Sequence, residues 1–192
     1  MTQLILASSS PYRRELLEKL HLDFECISPD IDESSHDDEQ PGTYVQRLAV
    51  EKAAKISREH PQALVIGSDQ CSVNGNTILG KPRDRNHAIE QLSNASGKQI
   101  EFLTGVSIQH FDSGWHREWM DIFCVNFRQL SADEIERYLD AEQPYNCAGS
   151  FKSEQLGISL CESMHGDDPT ALIGLPLIKL AQSLREFGIQ VP

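Results

Sequence analysis

Two adjacent arginines, Arg13 and Arg14, follow the run Ser8-Ser9-Ser10-Pro11-Tyr12. An apolar run precedes the serines, and a helical pattern follows the arginines. A strand that ends in small polar residues and turns into a helix leaves backbone N–H groups free at the positive end of the helix dipole. Cations there oppose the dipole by a few tenths to ~1 kcal/mol each. An anion that meets the N–H groups and the arginines together removes the conflict, and phosphate is the natural candidate. The bland alternative is that the arginines face solvent or pair with Glu15, Glu18 or the acidic stretch 30–39.

Further charged residues stand at unusual places. On the helical pattern from Tyr44, the apolar stripe runs Val45, Leu48, Ala49 and Ile56, and Lys52 falls inside it. A lysine on such a stripe either snorkels out or meets an anion. Asp69 follows the apolar strand Ala63 to Ile66 and Gly67, where an open α/β sheet presents groups to a ligand. A carboxylate there can hold a metal or activate water, or it can merely cap a turn. Glu33 lies in the acidic loop 30–43 and could add a second metal-binding oxygen, or belong to a solvated charge run. Lys81 sits between Gly80 and Pro82, where glycine permits close backbone approach and proline stiffens the exit. Cys147 to Gly157 mixes small residues with a lysine and a glutamate, in the manner of a binding loop.

The elements that must position these groups alternate between strand and helix. Gln3 to Ala7 reads as a buried strand, and Pro11 to Leu20 as a helix capped by Ser10. A long helix is expected from about Tyr44 to Glu59, before Pro61. Asn74-Gly75 signals a hairpin, and Asp84 could cap a helix from Arg85 to Ala95. Glu101 to Gln109 and Glu118 to Arg128 read as paired strands joined through Asp112-Ser113-Gly114. Ser131 and Glu134 form a capping box. The stretch Gly157 to Ser163 looks like a strand, and Pro176 to Phe187 like an amphipathic helix stopped by Gly188. The pattern predicts an α/β fold, with a mixed sheet and flanking helices, in one domain over residues 1–192.

Composition narrows the partners. The 192 residues carry a net charge of −12, which opposes binding to a nucleic-acid polymer but not to a small phosphorylated ligand. The five cysteines are odd in number and show no C-x-x-C spacing, so reduced thiols in a cytoplasmic setting fit better than a disulfide or zinc framework. They are expected to be buried small hydrophobes rather than nucleophiles. The apolar run from Leu4 to Ala7 is too short for a signal peptide, and no stretch approaches transmembrane length. There is no G-x-x-x-x-G-K-[ST] and no histidine pair at helical i, i+4 spacing. Isolated cations, one or two carboxylates and a Gly/Ser loop in an acidic chain suit metal-dependent chemistry on a nucleoside polyphosphate.

These residues resemble the Maf family of nucleotide pyrophosphatases. The landmarks are LILASSSPYRRELL, DIDE, RLAVEKA, VIGSDQ, GKP, CAGSFKSE and GLPL, which span nearly the whole chain. The resemblance implies an elongated, two-lobed fold with a central cleft, similar to inosine triphosphate pyrophosphatases. It implies cleavage between the α and β phosphates of a small-molecule nucleoside triphosphate, with Mg²⁺ or Mn²⁺. Carried over, Ser8, Arg13, Arg14, Lys52 and Lys81 would bind phosphates. Asp69 would be the general base or metal-orienting carboxylate, with Glu33 as its metal partner. Lys52 and Lys81 would share the catalytic work. The branch that prefers dTTP and UTP usually carries Ala-Asp-Thr and Tyr-Gly-Ile-Gln. This chain has Ser68-Asp69-Gln70 and Phe151-Lys152-Ser153-Glu154, and so is similar to the branch acting on 7-methyl-GTP. Tyr12, Gln70 and Glu154 would then select the base, Tyr12 because an aromatic face attracts a cationic ring by ~0.5–2 kcal/mol. A homodimer is an expectation of the resemblance alone. The competing readings are a pyrophosphatase for dTTP, UTP or CTP and a non-catalytic nucleotide sensor in cell division.

Overall fold

The computed structural model describes residues 2–75 and 77–192. β1 (Leu4–Ala7) runs through the serine turn into α1 (Pro11–Glu18), whose N-cap is Ser10. β2 (Glu25–Cys26) and the acidic loop lead to α2 (Pro41–Glu59). β3 (Leu64–Asn74) and β4 (Thr77–Leu79) form a hairpin that precedes α3 (Arg85–Ala95). β5 (Gln99–His110) and β6 (Trp115–Phe127) form a second, longer hairpin. α4 (Ala132–Glu142), β7 (Cys161–His165) and α5 (Leu177–Phe187) complete the chain, with short 3-10 turns between them. The seven strands form one sheet in the order β2-β1-β3-β5-β6-β7, with β4 on β3. β1 pairs in parallel with β2 and β3, and the other pairings are antiparallel. The sheet is therefore mixed, as the sequence pattern predicts.

Three separate packings explain the shape. α1 and α5 cover one face of the sheet over Leu6, Ile66 and Ile108. α2 covers the other face over Ile5, Ala7 and Val65. α3 and α4 build a further core at the far ends of β5 and β6, around Phe102, Val125 and Phe151. Two cores at opposite ends of long strands leave a cleft between them. Among the described residues no helix is long and apolar enough to cross a membrane.

Some boundaries differ from the sequence reading. α2 begins at Pro41 rather than near Tyr44, because proline and its missing N–H are tolerated in a first helical turn. α1 ends at Glu18, with Lys19 as its cap. The β3–β4 turn is shifted by one residue: Asn74 pairs with Thr77, Gly75 takes φ 60°, and Asn76 lies outside the described residues. Residues Gly157 to Leu160 belong to a 3-10 turn, and the strand starts only at Cys161. β3 is the largest departure. It continues through Gly67 and Asp69 to Asn74, since its second half finds partners in both β4 and β5.

Two glycines set the distance between α2 and the sheet. A Cβ on Gly67 would lie 2.3 Å from the Ala49 carbonyl oxygen, and one on Gly105 would lie 2.5 Å from that of Val45. Both glycines sit on the face that carries Asp69, which is opposite Gly105 in the register. The helix backbone therefore rests directly on the strands. We expect Gly67→Ala or Gly105→Ala to cost about 1–3 kcal/mol, because the new methyl group meets backbone rather than a movable side chain. Gly80→Ala, where a Cβ meets nothing within 4 Å, should stay within about 0.5 kcal/mol of the parent. Urea unfolding of the three variants checks this, and equal effects at all three sites would refute it.

Candidate active site

The cleft has a volume of about 580 Å³. All the residues singled out from sequence line it except Arg14. Its first wall is the turn between β1 and α1. Ser10 Oγ accepts from Arg13 N at 3.4 Å, and Ser8 Oγ accepts from Ser10 N at 3.1 Å. Arg13 turns into the cleft, where its Nε donates to the Gly174 carbonyl at 3.0 Å and its Nη1 to Ser8 Oγ at 3.5 Å. Burial works against the Arg13 charge, and the carboxylates of Asp69 and Glu33 support it. Gly174 has φ 119°, and Ser68 Oγ donates to the same carbonyl at 2.9 Å.

Arg14 does not join this wall. Its side chain is 63% exposed and pairs with Glu18 at 3.0 Å. Consecutive helical residues point about 100° apart, so two adjacent arginines cannot face one cleft from a single turn. The pairing with Glu18 is the bland alternative of the sequence reading.

The floor is a cluster of charge around a buried lysine and aspartate. Lys52 is 5% exposed and does not snorkel. Its Nζ lies 2.7 Å from Asp69 Oδ1 and 2.7 Å from Glu33 Oε1. Asp69 is 7% exposed and stands in the middle of β3, under α2, rather than beyond a strand end. The close approach of α2 over Gly67 and Gly105 is what lets Lys52 reach it.

Glu33 arrives from the acidic loop, which is pinned rather than loosely solvated. Tyr44 Oη donates to the Glu33 carbonyl at 2.9 Å. Arg47 donates to both carboxylate oxygens of Glu39 at 2.7 Å and to the Ser34 carbonyl at 3.0 Å. Neither Tyr44 nor Arg47 was singled out from sequence. Arg47 four residues before Glu51 was a visible helical pair, but its main partner, Glu39, lies in the loop. Burial, then the Asp69 and Glu33 charges, push the Tyr44 hydroxyl up to about 12. Burial and Asp69 likewise push the Cys71 thiol up to about 12, so it is no thiolate nucleophile near neutral pH.

The facing wall comes from the α3–α4 core. Gly80 does not need its conformational freedom, since it has no positive φ and space for a Cβ. Lys81 is instead positioned by the Gly80 carbonyl, which accepts from Gln91 Nε2 at 3.0 Å and Gly149 N at 3.2 Å. Gln91 also binds Ser150 Oγ, so one buried amide ties two cleft loops to α3. Gln91 was missed from sequence because nothing in an amphipathic helix distinguishes a bracing glutamine from a surface one.

Tyr12 reaches across the cleft mouth. Asn146 Nδ2 donates to its hydroxyl at 2.9 Å, and Lys152 Nζ lies 5.7 Å from its ring centroid. Tyr12 is thus held by the other lobe rather than packed on its own helix. Glu154 is exposed on the same rim. Gln70 lies on the opposite face of β3 from Asp69, as strand alternation requires. Its Nε2 donates to Thr104 Oγ1 at 2.9 Å, the Ala171 carbonyl at 2.7 Å and the Leu172 carbonyl at 3.1 Å. Any influence of Gln70 on a base would act through the wall it holds or through its amide oxygen.

The cysteines depart from the expectation of burial: Cys71 is buried, but Cys26 is exposed on the edge strand and the other three are half-buried. Among the described residues no group of three or more His, Cys, Asp or Glu is placed to hold a metal. Two carboxylates, Glu33 and Asp69, converge on the Lys52 ammonium. That donor set suits a magnesium-type ion, which takes one or two carboxylates and completes its shell with water and phosphate oxygens.

Comparison with known proteins identifies the family and the fold. A family profile described as Maf-like protein matches residues 3–187. The chain is 56% identical over 189 residues to a 7-methyl-GTP pyrophosphatase of Alcanivorax borkumensis, covering 98% of this chain and 96% of that one. It is 53% identical over 192 residues to a protein of the same name from Pseudomonas savastanoi pv. phaseolicola, with all of both chains covered. Among solved structures, a HAM1 protein from Coxiella burnetii superposes with a TM-score of 0.55 over 97% of this chain and 100% of that one. At 12% identity that likeness shows a shared fold. The profile and the full-length relatives together establish that the chain belongs to the Maf family.

Proposed function

We propose that this chain is a nucleoside triphosphate pyrophosphatase that hydrolyses 7-methyl-GTP to 7-methyl-GMP and diphosphate. The observation that carries the reading is the buried Lys52–Asp69 ion pair, joined by the exposed Glu33, on the floor of a cleft walled by Arg13 and Lys81. The names of relatives that are more than half identical over nearly full length support the substrate.

Hydrolysis of a phosphoanhydride needs charge neutralisation on the phosphates and a positioned water. Arg13, held by Gly174 and Ser8, and exposed Lys81 supply positive charge from opposite walls, and Ser8 adds a hydroxyl donor beside Arg13. Asp69 accepts the proton of the attacking water, while Lys52 holds the Asp69 carboxylate in place. One water is consumed and the bond between the α and β phosphate groups breaks. Glu33 and Asp69 would hold the divalent cation, which when bound neutralises phosphate charge and lowers the pKa of water. At the other end, Tyr12 offers an aromatic face to a ring made cationic by N7 methylation, and Glu154 can accept from its N1 and N2 edge. Five unpaired thiols support a reducing, cytosolic setting.

Diphosphate release from 7-methyl-GTP, GTP, dTTP, UTP and CTP, with and without Mg²⁺, tests the reading. We expect release to depend on Mg²⁺ and to favour 7-methyl-GTP. A preference for the pyrimidine nucleotides would replace the substrate, and binding without any product would favour a sensor. Asp69→Asn should lower kcat by about 10²–10⁴-fold, the range for loss of a general base, with its circular dichroism spectrum unchanged. Near-normal turnover would remove Asp69 from that role. Glu154→Gln should lower kcat/KM for 7-methyl-GTP far more than for GTP, and an equal loss on both would take Glu154 out of the base site.

A further inference from the structure

Glu142 is the last residue of α4, where the helix dipole disfavours an anion. It is also largely desolvated, with its side chain 6% exposed. Two penalties therefore fall on one carboxylate, and its partners show what offsets them. Lys152 Nζ lies 3.3 Å away, and Leu156 N donates to Oε2 at 3.0 Å. The Gln155 amide, oriented to satisfy both its ends, donates to Oε1 at 2.8 Å and accepts from Lys152 Nζ at 3.1 Å. Lys152 is itself only 16% exposed. Its backbone N–H is bound to Tyr138 Oη at 3.1 Å, so residue and charge are both fixed to α4.

The place of Lys152 gives the pair its meaning. The ammonium stands 5.7 Å from the centre of the Tyr12 ring, two residues before Glu154. A cation so close to the aromatic face would repel a second cation laid against that face. Glu142 cancels it. With both present the pair is a dipole without net charge, and Glu154 leaves the base end negative. Without Glu142 the base end loses that negative balance, because Lys152 and Glu154 then sum to zero. A neutral guanine is nearly indifferent to the difference. A methylated, cationic ring feels all of it.

We propose that Glu142 is a specificity-determining positioning residue, which neutralises and orients Lys152 so that a cationic purine can occupy the Tyr12 face. The proposal rests on the reading of 7-methyl-GTP as substrate. It adds a selection by charge from a residue that does not line the cleft.

The test compares wild type, Glu142→Gln, Lys152→Met and the double variant by kcat/KM for 7-methyl-GTP and GTP. It is run at a pH low enough to keep the N1 proton on the methylated ring. Glutamine keeps the size of Glu142 and removes its charge, losing one of the contacts that the two carboxylate oxygens accept. Glu142→Gln should lower the ratio of 7-methyl-GTP to GTP by about five- to twentyfold, the scale of one unit charge at short range in a partly screened site. Lys152→Met should raise the ratio, and the double variant should return it to within about threefold of wild type. Equilibrium binding of 7-methyl-GMP against GMP should show the same shifts without chemistry. Equal losses on both nucleotides in Glu142→Gln would overturn the proposal by reducing Glu142 to a structural brace. A fall in the ratio with Lys152→Met, or no recovery in the double variant, would overturn it as well. A wild type that releases no diphosphate from 7-methyl-GTP would refute the substrate reading itself, which is a separate result from an unmoved ratio.

Discussion

The buried ion pair of Lys52 and Asp69, which Glu33 joins from the solvent side, is the constraint around which the rest is arranged. Taking ammonium and carboxylate groups out of water costs several kcal/mol per ion, and only close, well-directed contacts return it. Both contacts to Lys52 are 2.7 Å. That separation depends on a helix lying on bare backbone, which Gly67 and Gly105 permit. It also depends on a loop that can deliver Glu33, which Tyr44 and Arg47 hold in place. Loss of the first support would leave charge buried without its partner, the costlier of the two states, whereas loss of the second would leave the Lys52–Asp69 pair in place.

The second lobe solves a different problem. Its loops must face the cluster across a gap without a strand to hold them. They are tied down by buried amides and carbonyls instead. Gln91 fixes the loops around Gly80 and Ser150, and Gln70 fixes the backbone at Ala171 and Leu172. Gly174 gathers Arg13 and Ser68 on one carbonyl, at a backbone angle that favours glycine. These are neutral, directional contacts. They set position without adding charge to the cleft.

Features that one helix or one strand could announce were legible in the sequence. Lys52 stood out because a 3.6-residue period names the face a residue shares, and a cation on that face needs a partner. The caps at Ser10, Asp84 and Ser131 were equally plain, since each is a contact over three residues. Other features were hidden for physical reasons. β3 is buried on both faces, so it shows no alternation to reveal that Asp69 and Gln70 point apart. Arg13 and Arg14 look equivalent as a pair but occupy different sides of a helix. Cys26 is apolar enough to suggest burial, yet the two-residue strand that carries it is at the sheet edge. The contacts of Arg47 with Glu39, Gln91 with Ser150 and Glu142 with Lys152 join segments whose meeting only the topology decides.

The cations of the cleft are not bare. Arg13 already donates to Gly174 and Ser8, and Lys52 already holds two carboxylates. A polyphosphate that enters must compete with these acceptors rather than drop into an unpaired positive hole. Exposed Lys81 is the exception, free to move on its braced turn. Such a site gains less from charge alone than its arginines and lysines suggest. On the proposed reading, that would weaken the hold on any triphosphate in general and leave more of the discrimination to the base. On that same reading, the base end is also where the acidic surplus of the chain becomes useful: with Lys152 matched by Glu142, the charge of Glu154 would be left over to favour a positive ring.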